Sequence, residues 1–398
     1  MKYIQLAKEF YKDKENYEKL YRERYHSESA LHIPIRINGN EAFLIYQSEI
    51  IDFISKIYKA NNLLSEKIYE LPGIALEQFT KKCLIDEIKL SNDIEGVYST
   101  RKEINELLNP GTKNHCKKRL YGLVQKYNML LNNEEISIAS CKDIRNLYDD
   151  LVLQEVIEED KRNEPDGLFF RKEGVSVQGS DLRVVHNGVN PEDKIISYID
   201  ECIKLINDDS INKLVTIAVV HYLIGYIHPF YDGNGRLDRF ISSYLLSKEL
   251  HPLVGYSLSY TIKKQVNLYY KAFKITNDVK NKGDITPFVI IFLDFIAQAI
   301  GNLNITLANK IEQLNYYHGK IGNISKEGRS RDILYVLIQN TLFGEAGLTV
   351  ENIADILGVS VPTIRNYIGN LDNAMLMVSK IGHKNAYDIN LEYFNTII

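Results

Sequence analysis

The segment that most limits the fold is KLVTIAVVHYLIGYI, Lys213 to Ile227. It is apolar almost all round, which predicts a helix with no solvent-facing side. Such a helix has to lie at the centre of a helical domain. Elsewhere proline is scarce and apolar residues recur three and four apart, as in Glu49 to Leu63 and Glu77 to Glu95. These patterns predict a mainly α protein.

Length and composition narrow the class of protein. The 398 residues are enough for two or three domains, and a net charge of −4 gives no overall attraction to nucleic acid or anionic membranes. The charged N-terminus does not resemble a signal peptide, and no continuous apolar run reaches the length of a membrane span. We therefore expect a cytoplasmic protein. Free thiols in a reducing compartment are predicted because no two cysteines have CxxC spacing. They are Cys83, Cys116, Cys141 and Cys202.

The stretch HPFYDGNGRLDRF, beginning at His228, follows the central helix directly. Its DGNG turn precedes a second helix, predicted from about Asn234 to Leu250, whose first N–H groups have no partners within the helix. Glycines there let an anion approach the backbone closely. Arg236 and Arg239 oppose the helix dipole and, three residues apart, are expected on one face. Two arginines beside such a helix start indicate a polyphosphate ligand.

Two further residues of the stretch suggest chemistry. Asp232 supplies a hard carboxylate of the kind that a magnesium nucleotide requires. His228, at the end of the preceding helix, is suited to accept a proton from a hydroxyl. An alternative is that Asn and Gly serve turn geometry alone. That reading explains the glycines but neither the two arginines nor the histidine.

The stretch resembles the Fic family signature, HPFx[DE]GNGRxxR, at every defined position. The resemblance implies a Fic-fold helical bundle that transfers AMP from Mg²⁺-bound ATP to Ser, Thr or Tyr hydroxyls of proteins. It also implies a role for each residue of the motif. His228 would be the general base, Asp232 the Mg²⁺ ligand, Gly233, Asn234 and Gly235 the phosphate cradle, Arg236 and Arg239 the ligands of the β- and γ-phosphates, Pro229 the residue that shapes the loop, and Phe230 its buried anchor.

A second motif, SNDIEG, lies upstream. Helical spacing puts Leu84, Ile88, Ser91 and Glu95 on one face, and Gly96 is suited to end the helix. In the family, the pattern [ST]xxxE[GN] marks an inhibitory helix. Its glutamate, here Glu95, would pair with Arg239 and keep the γ-phosphate from binding productively. The alternative is an ordinary amphipathic helix with a solvent-facing glutamate.

Two weaker signals concern the substrates. From Phe169 to Val185 apolar residues nearly alternate around a Gly-Ser pair, which predicts a β-hairpin. It resembles the family flap, which aligns a target segment by strand addition. Flap contacts to the target are assigned to Val175, Ser176 and Val177. Tyr269 and Tyr270 are candidates to flank an adenine, although aromatic residues on a helix also serve the core. His221 is interpreted as a core residue.

The C-terminal region predicts helix, turn, helix and two short strands, the order of a winged helix. From Arg331 to Ile398 there are four basic and seven acidic residues. This balance argues against DNA binding and favours target docking or self-association.

The predicted subdivision of the chain has four parts. They are an N-terminal helical region at 1–115 with an inhibitory helix at about 77–96, a Fic core at 116–302, a linker helix at 303–328 and a winged-helix domain at 329–398.

The leading hypothesis is an adenylyltransferase that Glu95 autoinhibits. Its partners would be a target protein with a hydroxyl side chain, the enzyme itself as a substrate and, by family expectation, a second copy in a homodimer. Two alternatives stay open. One keeps the fold and changes the chemistry to another nucleotide or to AMP removal, with Glu95 positioning a water. The other is a winged-helix regulator whose Fic core senses nucleotide.

Overall fold

The structure, a computed structural model, describes residues 3–108, 119–178 and 184–397. It has two compact units. The first contains residues 1–62 and 85–301, and the second contains residues 63–84 and 302–398. The turn-forming stretch Leu108-Asn-Pro-Gly111 predicts a break between helices. Leu108 ends a helix, whereas the rest of that stretch and Cys116 lie outside the described residues. The four-part subdivision stays a prediction.

Helices make up most of the described chain, as the apolar spacing predicted. They are α1 (Leu6–Lys12), α2 (Lys14–Tyr25), α3 (Ser48–Tyr69), α4 (Gly73–Ile94), α5 (Arg101–Leu108), α6 (Tyr121–Leu131), α7 (Cys141–Tyr148), α8 (Gln154–Glu159), α9 (Glu192–Ile206), α10 (Lys213–Ile227), α11 (Asn234–Glu249), α12 (Pro252–Gly255), α13 (Leu258–Lys264), α14 (Val266–Thr276), α15 (Thr286–Ile324), α16 (Gly328–Phe343), α17 (Val350–Leu357), α18 (Val361–Asn370) and α19 (Leu391–Ile397).

The central helix is confirmed with the predicted bounds. Helix α10 runs from Lys213 to Ile227, and its residues are buried on nearly every side. It packs against α9 and α11. Because α10 has no polar face, both of its ends are held inside the first unit. The residues that follow Ile227 are therefore presented from a fixed support.

After α1 and α2, the first unit contains a β-hairpin that the sequence analysis missed. Strands β1 (Ala30–Ile37) and β2 (Asn40–Ile45) pair antiparallel. Asn38 and Gly39 connect them with φ values of 48° and 85°. This is the Asn-Gly signal of a two-residue hairpin turn. The predicted N-terminal helical region is thus interrupted by two strands.

Apolar spacing in the sequence also predicts helices at Asp143–Leu153 and Phe288–Ile300, and both differ in extent from the helices observed. The segment Asp143–Leu153 contains the end of α7 and then a π-helical turn, Asp149–Leu153, that leads into α8. The predicted helix Phe288–Ile300 is part of α15, which continues to Ile324 through most of the predicted linker. Among the described residues, α15 is the one helix long and apolar enough to cross a membrane. However, 56% of its most apolar window is buried, as in the core helix of a folded domain.

The second unit ends in a small α/β arrangement. Strand β5 (Leu348–Thr349) lies between α16 and α17, and strands β6 (Leu376–Ile381) and β7 (Lys384–Ile389) lie between α18 and α19. The strands form one antiparallel sheet in the order β5-β7-β6. The predicted order of helix, turn, helix and two strands is present as α17, α18, β6 and β7, whereas β5 and α19 were not predicted. The assignment as a winged helix stays a prediction.

Candidate active site

The HPFYDGNGR stretch forms a short loop between two buried helices. His228 caps the C-terminus of α10 in the left-handed conformation, with φ 54° and its N–H donating to the Ile224 carbonyl at 2.9 Å. Gly233 caps the N-terminus of α11 with φ 76°, a conformation that favours glycine. Two left-handed residues thus turn the chain between α10 and α11. The helix predicted from about Asn234 begins at that residue.

Side chains hold this loop from within. The Asn234 amide accepts from the Phe230 N–H and donates to the Phe230 carbonyl, both at 2.9 Å. The Phe230 ring is buried and stacks on Tyr148 with ring centroids 3.6 Å apart. The Tyr148 hydroxyl donates to the Asp232 carbonyl at 3.1 Å. Asn234 therefore fixes the loop through its side chain and leaves its backbone N–H to the helix start.

The start of α11 already faces a carboxylate. The first helical bond there is from the Leu237 N–H to the Gly233 carbonyl, so the earlier N–H groups are free of helical partners. A methyl group added at Gly235 would lie 2.1 Å from Glu95 Oε1. Glycine at position 235 therefore permits an anionic oxygen to approach the helix, and Glu95 uses that space.

Arg239 is held by the second motif. Its Nη1 donates to Glu95 Oε1 at 2.7 Å, its Nε to Ser91 Oγ at 2.9 Å and its Nη2 to the Ser91 carbonyl at 2.9 Å. The Arg239 side chain is 1% exposed and that of Glu95 is 29% exposed. The structure thus brings Glu95 and Arg239 together, as the resemblance implied, and adds Ser91, which the sequence analysis placed only on the same helix face as Glu95.

Each charge of this pair is unfavourable for its own helix. Gly96 has φ 77°, and the Val97 N–H donates to the Asn92 carbonyl at 3.0 Å, so α4 ends in a Schellman motif. Glu95 then adds a negative charge to the C-terminal end of α4, while Arg239 adds a positive charge near the start of α11. Each opposes a helix dipole, and the contact between them offsets both.

Electrostatics favour a charged arginine and a neutral histidine. Burial lowers the pKa of Arg239, but the opposing effect of nearby Glu95, Tyr269 and Tyr270 is larger, so the pKa lies above its usual range. The pKa of His228 is lowered to about 4 by burial and by Arg171, against the opposing charge of Glu95. At neutral pH the His228 ring is therefore unprotonated and able to accept a proton. The backbone of Gly225 faces that ring and acts to raise its pKa, against the effect of burial.

Arg236 has a partner that the sequence analysis missed. Its Nη1 donates to Glu155 Oε1, in α8, at 2.8 Å, and the Arg236 side chain is 2% exposed. Its Nε is buried without a partner among the described residues. The two arginines expected on one helix face thus engage two different segments. Nothing in the pattern of α8, QEVIEE, distinguished Glu155 from its acidic neighbours.

The two candidate adenine residues have different surroundings. Tyr269 is buried, and its hydroxyl lies 2.8 Å from His221 Nε2. His221 Nδ1 lies 2.7 Å from Ser242 Oγ, so His221 is a bonded core residue, as predicted. Tyr270 is 47% exposed and has a face for a ligand. Both tyrosines are near enough to Arg239 to affect its pKa, and an adenine role for either stays a prediction.

The predicted flap hairpin is present but shorter and later in the chain. Strand β3 (Ser176–Gln178) pairs antiparallel with β4 (Val184–Asn187), and the Gly179-Ser180 turn lies outside the described residues. The Ser176 hydroxyl donates to Asn187 Oδ1 at 2.8 Å, and Val175 precedes the strand. Val177 pairs with His186 through the backbone.

The prediction was wrong for residues 169–175, which are not in a strand. The Glu192 carboxylate accepts the N–H groups of Leu168, Phe169 and Phe170 at 2.9–3.0 Å. These N–H groups are therefore unavailable to a strand partner, and alternation of apolar residues alone did not reveal that competition.

Two more buried residues went unnoticed in the sequence. Arg171 is fully buried and donates to four carbonyl groups beside the loop. Glu87, on α4, accepts from Ser259 N, Ser259 Oγ and Ser243 Oγ at 2.5–3.2 Å. Glu87 lies four residues before Ser91, so its position on the buried face was a usable signal.

The residues at the loop fit a nucleotide-bound Mg²⁺ better than a metal cage. Asp232 Oδ1 accepts from the Gly233 N–H at 2.6 Å, which fixes the carboxylate at the start of α11. The described residues contain no cluster of three His, Cys, Asp or Glu side chains that would hold a metal alone. Mg²⁺ bound with nucleotide phosphates usually takes one or two protein carboxylates. The single carboxylate of Asp232 satisfies that requirement.

The geometry defines a helical domain in which a helix start faces a carboxylate, and comparisons with known proteins match one segment of it to a family. The Fic/DOC family matches residues 138–246. The protein adenylyltransferase Fic of Drosophila mojavensis is 26% identical over 251 residues, 61% of this chain and 43% of that protein. Its Drosophila yakuba counterpart is 40% identical over 77 residues, 19% of this chain and 14% of that protein. The chain thus spans less than half the length of these curated relatives.

A solved structure gives the same fold. The Fic family protein from Desulfovibrio desulfuricans G20 has a TM-score of 0.51 at 18% identity and covers 86% of this chain and 96% of its own. That likeness concerns the fold alone. The family match shows a Fic domain at residues 138–246.

Proposed function

We propose that this protein is an adenylyltransferase that transfers AMP from ATP to hydroxyl side chains of a target protein and of itself. The observation that carries the proposal is the start of α11. Free N–H groups, the glycine at position 235 and two buried arginines all face positions where anionic oxygens can bind. The curated relatives are named protein adenylyltransferases, which supports the same activity.

In the proposed reaction the target hydroxyl oxygen attacks the α-phosphorus of ATP. A bond forms between that oxygen and the phosphorus, the bond from the phosphorus to the oxygen bridging to the β-phosphate breaks, and pyrophosphate leaves. The hydroxyl proton goes to the His228 ring nitrogen that does not face Gly225. The lowered pKa of His228 supports this role because the ring is unprotonated before the reaction.

The rest of the site would bind and orient the phosphates. The N–H groups at positions 234–236 would cradle them, and Arg236 and Arg239 would contact the β- and γ-phosphates. Asp232 would hold Mg²⁺, which neutralises phosphate charge when bound. Most of the rate increase is attributed to this positioning and charge stabilisation.

We further propose that Glu95 inhibits this reaction. Its carboxylate contacts Arg239 and lies against Gly235, so it uses both the cation and the space that a γ-phosphate needs. ATP in a productive pose must displace it. The exposed fraction of Glu95 is large enough for a side chain that leaves its partner and enters solvent.

Labelling with [α-³²P]ATP and Mg²⁺ tests both proposals. We expect little self-labelling of the wild type, strong labelling of Glu95→Gly, and none of His228→Ala in either background. Glu28→Gly removes an exposed carboxylate that lies far from Glu95 in the sequence. It is the matched control and should behave as wild type. Absence of label in Glu95→Gly at every concentration of ATP would refute AMP transfer.

Further arms separate the remaining candidates. Competition of the label by unlabelled GTP, UTP or CTP would identify a different donor. Loss of label from purified AMPylated Glu95→Gly protein on adding wild type, but not Glu95→Gln, would identify AMP removal with Glu95 orienting a water. For the C-terminal region, salt-dependent binding to duplex DNA would support a regulator, whereas we expect no such binding.

The partners need separate measurements. Mass spectrometry of labelled lysate proteins would identify the target, and light scattering would report a homodimer.

A further inference from the structure

Arg171 has an environment that burial alone does not explain. Its side chain is 0% exposed, and no carboxylate among the described residues contacts it. An arginine stays charged in proteins, so removing it from water without a counter-ion is costly unless several bonds compensate. Arg171 makes such bonds, and every described acceptor is a backbone carbonyl.

These carbonyls belong to two separate parts of the site. Arg171 Nε donates to the His228 carbonyl at 2.9 Å, and Nη2 reaches the Ile227 carbonyl at 3.4 Å. Both are carbonyls at the C-terminal end of α10, where helical partners are lacking and the dipole favours a cation. Nη1 donates to the Glu173 carbonyl at 2.7 Å and Nη2 to the Val189 carbonyl at 2.8 Å. Those two residues flank the flap hairpin on either side.

The backbone around Arg171 connects the same two parts. The Arg171 N–H donates to the Pro229 carbonyl at 3.2 Å, and the Val189 N–H donates to the Ile227 carbonyl at 3.0 Å. A methyl group added at Gly188 would lie 2.4 Å from Arg171 Nη2 and 3.2 Å from His228 Cβ. One planar guanidinium is thus enclosed between the flap and the histidine, and a shift of either part breaks its bonds.

We propose that Arg171 is a positioning residue for AMP transfer, one that fixes the main chain of His228 and both ends of the flap hairpin in a single register. The proposal rests on the proposed function, because the base and the target-aligning strand must be placed together over one phosphorus atom. If Arg171 only capped the C-terminal end of α10, its bonds to the α10 carbonyls would suffice, and the bonds to the Glu173 and Val189 carbonyls would not be needed. The guanidinium fork is required to reach all four carbonyls, and lysine does not reproduce it.

The charge of Arg171 adds a readout that a purely structural role would not give. After burial, Arg171 is the largest influence that lowers the pKa of His228, with His186 in β4 acting in the same direction and Glu95 at the end of α4 opposing them. Removing the charge while keeping the fold should therefore raise the pKa of His228. Replacing arginine by lysine keeps a charge nearby but loses the fixed geometry.

The test uses three variants in the Glu95→Gly background, Arg171→Gln, Arg171→Lys and Gly188→Ala. Label transfer from [α-³²P]ATP is measured from pH 3.5 to 9, so that the acid limb near the His228 pKa of about 4 is included, and binding of α,β-methylene-ATP is measured by calorimetry. We expect all three to lower the transfer rate, Arg171→Gln by about 100-fold, because small misplacements of reacting groups have effects of that size. Affinity for the analogue should stay unchanged.

The pH profile separates the variants. The acid limb should move up by about one pH unit in Arg171→Gln and stay in place in Arg171→Lys. Gly188→Ala displaces the guanidinium without removing it. It therefore keeps the proposal testable if Arg171→Gln does not fold. Unchanged transfer rates in Arg171→Gln and Gly188→Ala would overturn the proposal. So would parallel losses of rate, analogue affinity and melting temperature, which would make Arg171 a stabilising residue alone.

A second measurement keeps this test independent of AMP transfer. NMR titration of the His228 imidazole, in Mg²⁺-free wild type and Arg171→Gln, reports the electrostatic contact even if Glu95→Gly proves inactive. An upward shift of the His228 pKa with Arg171 removed supports the contact, and an unchanged pKa overturns it. Failure of labelling in the Glu95→Gly parent would instead refute the proposed function.

Discussion

Glu95 Oε1 lies 2.7 Å from Arg239 Nη1, where the C-terminal end of α4 meets the first turns of α11. The two residues are 144 positions apart in the chain. Each has the wrong charge for its own helix end, and each becomes favourable through the other. Replacing the carboxylate by another anion, such as a phosphate, would keep that balance. The contact is therefore suited to exchange an internal anion for a bound one.

Two substitutions at Glu95 separate charge from volume. Glu95→Gly removes both, so we expect the larger gain in label transfer. Glu95→Gln keeps a side chain against Gly235 but removes the charge, and its gain should be intermediate. Glu95→Gly leaves Arg239 buried with an unmatched donor, which should lower the free energy of unfolding by about 1–3 kcal/mol, whereas Glu95→Gln keeps an amide oxygen as acceptor and should lower it by less. Urea unfolding measures that loss.

Binding of nucleotide should reverse the loss of stability. Because the free Arg239 gains an anion from Mg²⁺-ATP, the melting temperature of Glu95→Gly should rise more with nucleotide than that of wild type. Scanning fluorimetry with and without ATP measures this difference. Equal increases in the two proteins would show that Glu95 and phosphate do not compete for the same position.

Ser91→Ala tests the second hold on Arg239. The substitution removes the acceptor of Arg239 Nε and leaves the bonds to the Ser91 carbonyl and to Glu95. We expect a loss of about 1–2 kcal/mol in the free energy of unfolding and label transfer between those of wild type and Glu95→Gly. Thr80→Ala is the matched control, since the Thr80 hydroxyl bonds within α4 to Leu76. Transfer equal to that of the control would mean that Ser91 serves stability alone.

The sequence predicted the parts of this site that depend on local spacing. The bounds of α10, the start of α11 and the glycine end of α4 follow from apolar periodicity and helix termination, which are short-range properties. The contact between Glu95 and Arg239 joins distant segments, and the family resemblance rather than spacing suggested it; the bonds from Arg239 to Ser91 were not predicted. The position of Glu95 on its helix was, by itself, also consistent with a side chain that faces solvent.

What the sequence did not reveal are contacts whose partners are ordinary-looking residues. Glu155 is one acid among several in α8, and Arg171 binds carbonyl groups, which every residue carries. The flap was placed too early because Glu192, more than twenty residues away, takes the N–H groups of Phe169 and Phe170. The Asn38-Gly39 turn, in contrast, was a readable signal that the helical interpretation of the N-terminal region overlooked.

Gly235→Ala should break the inhibitory contact without activating the protein. The added methyl would lie 2.1 Å from Glu95 Oε1 and must displace that carboxylate. It would also fill the space that a phosphate needs at the start of α11. We therefore expect a lower melting temperature and no gain in label transfer, unlike Glu95→Gly. Gly301→Ala is the matched control, because its methyl meets no described atom within 4 Å. Strong transfer by Gly235→Ala would contradict phosphate binding at this glycine.

Glu87 should make the stability of the protein depend on pH. Burial raises its pKa to about 7, although hydrogen bonds from Ser259 and Ser243 and the charge of Arg239 act in the opposite direction. The folded state therefore favours the protonated acid. The stabilisation is fully present below the ordinary glutamate pKa of about 4.5 and is lost as pH rises to about 7.

Glu87→Gln tests that dependence. Glutamine stays neutral, and its carbonyl and amide can keep the contacts to Ser259 and Ser243. We expect the variant to match wild type near pH 5 and to exceed it at pH 8, by on the order of 3 kcal/mol in the free energy of unfolding. Urea unfolding of both proteins at pH 5, 6, 7 and 8 measures the difference, in which the titration of all other groups cancels. A constant difference across this range would show that Glu87 is ionised throughout and that its bonds to the serines outweigh its burial.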